Sequence, residues 1–236
     1  MQTVEISNAS AHTDGKKIRA LVIGHTGATG KALLDTLIAS PHCESIIAIG
    51  RRESIEHKGM PKLTQHVVDN MLDIAHLPLH IGQGGNAAFG CIGTAFNDVF
   101  KKKKAAEYRS TDFGITTEFA KYAQQVGVDF FSFISGQGAN AKSKFNMFRV
   151  KGEAEEFIHL MKFKQAAFLR PGSLNRGADA TWTEQILTLG GLTGLPVSRL
   201  AEAMVWMALN QVESMKPYEH KEIKQAALNF KNLSVI

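Results

Sequence analysis

The chain has 236 residues, 44% of them hydrophobic and 21% charged, which is the balance of a globular protein with a sizeable core and not of a disordered or fibrous one. Its formal net charge of +5 is spread over scattered basic residues apart from one run, Lys101 to Lys104, which reads as a solvated segment, so no nucleic-acid partner is expected. Two cysteines without metal-type spacing, Cys43 and Cys91, and the lack of any apolar run of the ~18 residues a membrane span needs, lead to the expectation of a reduced, cytoplasmic location with no membrane partner.

The polar segment 1–16 has no apolar core of the signal-peptide kind and reads as a flexible tail; 17–236 reads as one domain. Ile18–Ile23 is the first strand, and a glycine-punctuated turn leads from it into a helix over Lys31–Ala39. Ser45–Ile49, Thr64–Val68 and Ala87–Cys91 are the next three strands. His76 and His80 have the spacing of helical metal ligands, but Pro78 between them disfavours the helix, and no metal is expected there. In Ala105–Gln125, Tyr108, Phe113, Phe119 and Tyr122 alternate with polar positions, as in a helix with one buried face. Asp129–Ile134 is the fifth strand, Val150–Met161 a helix and Ala166–Leu169 the sixth strand. Beyond it Thr183–Leu189, Arg199–Asn210 and Lys221–Leu228 read as helices with too little core to stand alone. Strands separated by helices predict an α/β fold, a Rossmann-type doubly wound parallel sheet with a helical C-terminal cover over the ligand side.

In such a sheet ligands bind beyond the carboxyl ends of the strands, so those ends are where chemistry is expected. The first strand runs into Gly24, Gly27 and Gly30, with Thr26, Ala28 and Thr29 between them. A strand, a glycine turn and a helix N-terminus together present free backbone N–H groups to a diphosphate, and glycine lets the backbone approach it. The second strand ends in Gly50, Arg51 and Arg52, where an NAD-selective site commonly carries an acid; two guanidinium groups suit a 2′-phosphate, so NADP(H) is preferred, with NAD(H) as the alternative. Asp69 and Asn70 follow the third strand and offer either an adenine contact or a turn. Cys91, Ile92, Gly93 and Thr94 follow the fourth, Ser135 and Gly136 the fifth, and Arg170, Pro171 and Gly172 the sixth, next to where a nicotinamide would lie. Phe145, Met147, Phe148, Leu174 and Trp182 are candidates either for an apolar substrate pocket or for plain core packing.

The glycine motif, Gly50-Arg51-Arg52, Cys91-Ile92-Gly93-Thr94, Val150-Lys151-Gly152-Glu153 and Phe168-Leu169-Arg170-Pro171-Gly172 occur in this order. Together they resemble the atypical short-chain dehydrogenase/reductase superfamily, and within it the HIV Tat-interacting-protein-like family, over roughly Lys17 to Leu228. The resemblance implies NADPH binding and a Ser–Tyr–Lys catalytic group. It places the serine on Ser135 and the lysine, which also holds the cofactor ribose, on Lys151. The tyrosine of Tyr-x-x-x-Lys would stand at position 147, where this chain has Met147. A thioether cannot transfer a proton, so the resemblance implies either an impaired or unusual reductase of a small carbonyl compound or a silent NADP(H)-binding protein with a regulatory partner. Of the three tyrosines only Tyr108, at the start of the preceding helix, is a candidate to reach the cleft, and the expectation is that it does not. Either a monomer or a homodimer fits this reading.

Overall fold

The computed structural model describes residues 15–93, 105–175, 194–210 and 212–233. Nine strands and seven helices are numbered here among those residues. The first strand, β1 (Ile18–Ile23), is buried at every position but Arg19, the pattern of a strand covered on both faces. It pairs in parallel with β2 (Cys43–Gly50) on one side and β4 (Ala87–Gly90) on the other. From β2 the sheet extends to β3 (Leu63–Val67); from β4 it extends to β5 (Phe130–Ile134), β6 (Gln165–Arg170) and β9 (Lys216–Glu219), each pair parallel. The order β3-β2-β1-β4-β5-β6-β9 reverses direction between β1 and β4. That is the topological switch point, and it opens a crevice beyond the strand ends.

Alternate residues of β1 serve opposite helical layers, as the pleat requires. Ile18, Ala20 and Val22 face a cluster containing Leu33, Leu34 and Leu37 of α1 (Ala28–Ala39), Leu200 and Met204 of α6 (Val197–Leu209) and Ile223 of α7 (His220–Leu233). Leu21 and Ile23 face the other layer, with Phe119 of α4 (Thr116–Gln125) and Ala154 and Ile158 of α5 (Asn146–Leu160). Each large apolar side chain removed from water in this way contributes ~1.5–3 kcal/mol before chain entropy is set against it. A four-residue helix α2 (Leu79–Gly82), a short α3 (Ala105–Arg109) and the two-stranded pair β7 (Leu174–Asn175) and β8 (Leu195–Pro196) complete the described elements.

The expected doubly wound sheet and its C-terminal helices are therefore present, with three differences. The helix expected over Ala105–Gln125 carries a π-helical turn, Ser110–Ile115, between α3 and α4. The helix expected from Val150 starts at Asn146, so position 147 belongs to its first turn. The C-terminal cover also contains a strand, β9, which extends the sheet; Pro217 within it cannot donate a ladder hydrogen bond and is tolerated because the strand lies at the sheet edge. The helix expected over Thr183–Leu189 lies outside the described residues, as does most of the segment 1–16.

Candidate nucleotide-binding crevice

Of the three loop glycines, two are demanded by the fold. Gly24 has φ +74°, and a Cβ there would sit 2.4 Å from the Cys91 carbonyl oxygen, so β1 and the loop after β4 touch through backbone. A Cβ at Gly30 would lie 2.1 Å from the Gly24 carbonyl oxygen, because α1 starts directly against the turn. Gly27 differs. It is exposed, has φ −84°, and its Cβ would meet nothing nearer than the Gly24 oxygen at 3.4 Å. It is the N-cap of α1, no side chain caps that helix, and no acid occupies its first turn. Thr26 and Ala28 are half-buried and Thr29 is buried beside it. The first turn of α1 thus presents backbone N–H groups that no side chain caps, at the positive end of the helix dipole.

Arg51 and Arg52 lie in the exposed bend after β2, and neither guanidinium has an ion-pair partner among the described residues. The bend itself is tightly held. His57 Nε2 donates to Asp35 of α1 at 2.8 Å, which leaves Nδ1 to accept from the Ser54 hydroxyl at 2.7 Å. Lys31 of α1 pairs with Glu56 at 2.8 Å. From the glycine loop, His25 donates through Nε2 to the Arg52 carbonyl at 3.1 Å. His25 is 1% exposed, and its ring lies over Gly50, where a Cβ would come within 2.6 Å of Cε1. Burial holds its pKa below the ordinary 6.5. His25 was not singled out from sequence; a histidine directly after Gly24, paired with a glycine at 50, is the signal that was there to find.

Asp69 is exposed beyond β3, and Asn70 is occupied as a cap, accepting from Leu72 N at 3.1 Å and donating to Asp73 at 2.9 Å. After β4, Cys91 is buried, with its thiol pushed up to about 12 by burial, Ile92 is half-buried and Gly93 exposed with open space around it. Thr94 lies outside the described residues, as do Lys101 to Lys104 and Trp182. Pro171 is buried, its carbonyl accepting from His220 Nδ1 at 2.7 Å, and Gly172 is exposed with φ +71°.

Ser135 and Lys151 come together at the end of β5. The Lys151 ammonium donates to the Ile134 carbonyl at 2.9 Å and pairs with Asp112 at 2.7 Å, with only 10% and 1% of the two side chains exposed. Asp112 sits in the π-helical turn, which turns its carboxylate onto the lysine. The loop from 136 crosses α5 at Gly152, where a Cβ would be 2.2 Å from the Ala141 nitrogen; that contact explains the glycine after Lys151. The buried Ser135 hydroxyl donates to Glu155, one turn beyond Lys151. Glu155 is held in turn by Arg170 Nε at 2.9 Å, and Arg170 reaches Glu219 at 3.3 Å. As found, the one hydroxyl proton of Ser135 is committed to a carboxylate, a partnership that sequence could not reveal.

Met147 is half-buried in the first turn of α5, four residues before Lys151 and on the same helix face. Tyr108 reaches that turn, but its hydroxyl donates to the Met147 carbonyl at 3.3 Å and the residue is 2% exposed. Burial, with Asp112 adding to it, holds its phenol well above the ordinary 10.0. Tyr122 donates to the Pro78 carbonyl at 3.0 Å and Tyr218 to the Glu213 carbonyl at 2.7 Å. All three tyrosine hydroxyls of the chain are therefore spent on backbone. Of the expected apolar pocket, Phe145 is 71% exposed and meets Phe148 edge-on, while Leu174 packs against the core. No three metal-ligating side chains converge, and no helix is long and apolar enough to cross a membrane, among the described residues.

The fold and crevice define a short-chain dehydrogenase/reductase-type protein with an NAD(P)-binding architecture. The chain is related to the HTATIP2- and FMP52-like proteins: it is 31% identical over 160 residues to the mitochondrial protein FMP52-1 of Scheffersomyces stipitis, covering 66% of each chain. It is 30% identical over 155 residues to protein HTATIP2 of Rattus norvegicus, covering 65% of this chain and 61% of that one. The matched region thus spans just under two thirds of those relatives. No family model matches the chain. In fold it is similar to MoeE5 in complex with UDP-glucuronic acid and NAD (TM-score 0.67, 14% identity, 85% of this chain and 75% of that one). It is equally similar to a short-chain dehydrogenase/reductase from Saccharomyces cerevisiae (TM-score 0.67, 14% identity, 90% and 99%). The fungal FMP52 relatives are named mitochondrial proteins, which overturns the expected cytoplasmic location; nothing in the chain's composition distinguishes the two reduced compartments.

Proposed function

We propose that this chain binds NADP(H) in the crevice between the ends of β1 and β4, with the diphosphate on the glycine loop and the 2′-phosphate on Arg51 and Arg52. The observation that carries this reading is Gly27. The protein's own packing gives no reason for glycine there, whereas a ligand lying on the N-terminus of α1 does. Two guanidinium groups at the neighbouring strand end, without an ion-pair partner among the described residues, support the phosphorylated cofactor over NAD(H).

The chemistry this crevice supports is the reduction of a small carbonyl compound. The bound nicotinamide would supply a hydride; the chain must then deliver a proton to the carbonyl oxygen. In this reading Lys151 holds the ribose and Ser135 faces the carbonyl, the roles the family resemblance gives them. The side chain one helical turn before Lys151, which would be the proton donor, is a thioether. Turnover in the natural sequence is therefore slow or absent, and the reading of a silent NADP(H)-binding regulatory protein is favoured by one specific observation: no tyrosine hydroxyl is free to replace the missing one. The names of the fungal relatives support a mitochondrial location. Thermal shift with NADPH, combined with NADPH oxidation over a panel of aldehydes and dicarbonyls, tests the reading. A stabilised protein with little turnover is expected; turnover that survives loss of both Ser135 and Lys151 would overturn it.

A further inference from the structure

The bend that carries Arg51 and Arg52 must keep its shape if two mobile guanidinium side chains are to meet one phosphate. It is tied to α1 by the Asp35–His57 and Lys31–Glu56 pairs, but both contacts fall beyond Arg52, at residues 56 and 57. At the arginines themselves, the tie across from the glycine loop is the His25 Nε2 hydrogen bond to the Arg52 carbonyl. The ring that makes it is almost wholly enclosed, and it packs against Gly50, the residue immediately before the arginines, with its Cε1 nearest. The ring is also within hydrogen-bonding reach of the Ile49 backbone and the Gln65 side chain, so it is anchored to the end of β2 that leads into the arginine bend.

We infer that His25 is a positioning residue for cofactor selectivity: it joins the diphosphate loop to the Arg51–Arg52 bend and fixes the guanidinium groups over the 2′-phosphate. The inference rests on the proposed NADP(H) site and names a part of it that the glycine and arginine motifs do not contain. It assigns His25 no contact with the cofactor. Its effect passes through the Arg52 main chain, so it must appear in the ratio of NADPH to NADH affinity more than in either affinity alone.

The test compares two side chains of similar length. His25→Gln keeps an N–H donor within reach of the Arg52 carbonyl; His25→Met does not. Dissociation constants for NADPH and NADH are measured by calorimetry on the full chain, for the wild type, both variants and Arg51→Ala/Arg52→Ala. The expected result is a wild-type preference for NADPH that the glutamine variant keeps within about twofold and the methionine variant loses by roughly tenfold, the scale of one charge-assisted contact. If wild type and the arginine variant differ but glutamine and methionine behave alike, the role of His25 is overturned and the arginine site stands. If the wild type shows no preference, both fall. Should neither histidine variant fold, long-range nitrogen–proton NMR of the wild type decides: His25 must be the Nε2–H tautomer, and an Nδ1–H ring would overturn the inference.

Discussion

A Cβ at position 30 would sit 2.1 Å from a backbone oxygen, while one at position 27 would meet nothing closer than 3.4 Å. The two glycines look alike in sequence and have different reasons to exist. Gly27→Val should cost the apo protein only about 1 kcal/mol, the scale of a poor N-cap, yet abolish cofactor binding, as read by urea denaturation beside calorimetric titration. Normal binding by this variant would reduce the loop to a structural turn. At position 147 the expectation runs the other way. Because residues 147 and 151 share a helix face, Met147→Tyr places a phenol beside the Lys151 ammonium and should raise NADPH-dependent carbonyl reduction by ~10²–10⁴-fold, measured as NADPH oxidation on a substrate the variant accepts. The places of the glycines, the arginines, Ser135 and Lys151 in the fold were legible because each is fixed relative to a strand end or a motif. His25, Asp112 and Glu155 were not, because their roles depend on partners 27, 39 and 20 residues away in the chain.

Among the elements, the π-helical turn Ser110–Ile115 has the clearest consequence for the site. It interrupts a helix that sequence periodicity describes correctly in extent, and it turns Asp112 inward onto Lys151. Removing one partner of a buried pair leaves the other uncompensated. Asp112→Ala should therefore destabilise the protein by ~3–5 kcal/mol, seen as a lower urea midpoint at an unchanged slope, whereas the exposed Lys164–Asp129 pair should give no more than ~1 kcal/mol when broken. An Asp112→Ala variant of wild-type stability would mean that Lys151 is held by the Ile134 carbonyl alone. The strands of the sheet were readable as short apolar runs. Strand β9 was not, since Lys216–Glu219 is short, contains a proline and has charged ends; it is a strand only because β6 offers it an edge.

For the whole molecule, the buried titratable groups bound the pH range of stability. His25 is held neutral in the fold, with its pKa below the ordinary 6.5, so the unfolded chain binds more protons and stability falls as pH drops below about 6.5. On the alkaline side Cys43 is pushed from 9.0 up to about 11 and Cys91 from 9.0 up to about 12 by burial. Tyr108 and Tyr218 are raised above their ordinary 10.0, again chiefly by burial. The folded protein therefore holds protons that the unfolded chain releases, and stability falls again as pH rises beyond about 9. Melting temperature against pH should show a plateau between these limits, and His25→Gln should flatten the acid limb; an unchanged acid limb in that variant would show that another group governs it.

The doubly wound order around β1 and β4 gathers the glycine loop, the arginine bend and the end of β5 at the carboxyl end of the sheet, so the account stands or falls on what that end binds. Its central claim is tested most directly by titrating the wild-type chain with NADPH and with NADH by calorimetry under one buffer condition. With two guanidinium groups meeting the 2′-phosphate, each worth ~1.5–3 kcal/mol, NADPH should bind at least tenfold more tightly than NADH. Equal affinities, or no binding of either nucleotide, would contradict it.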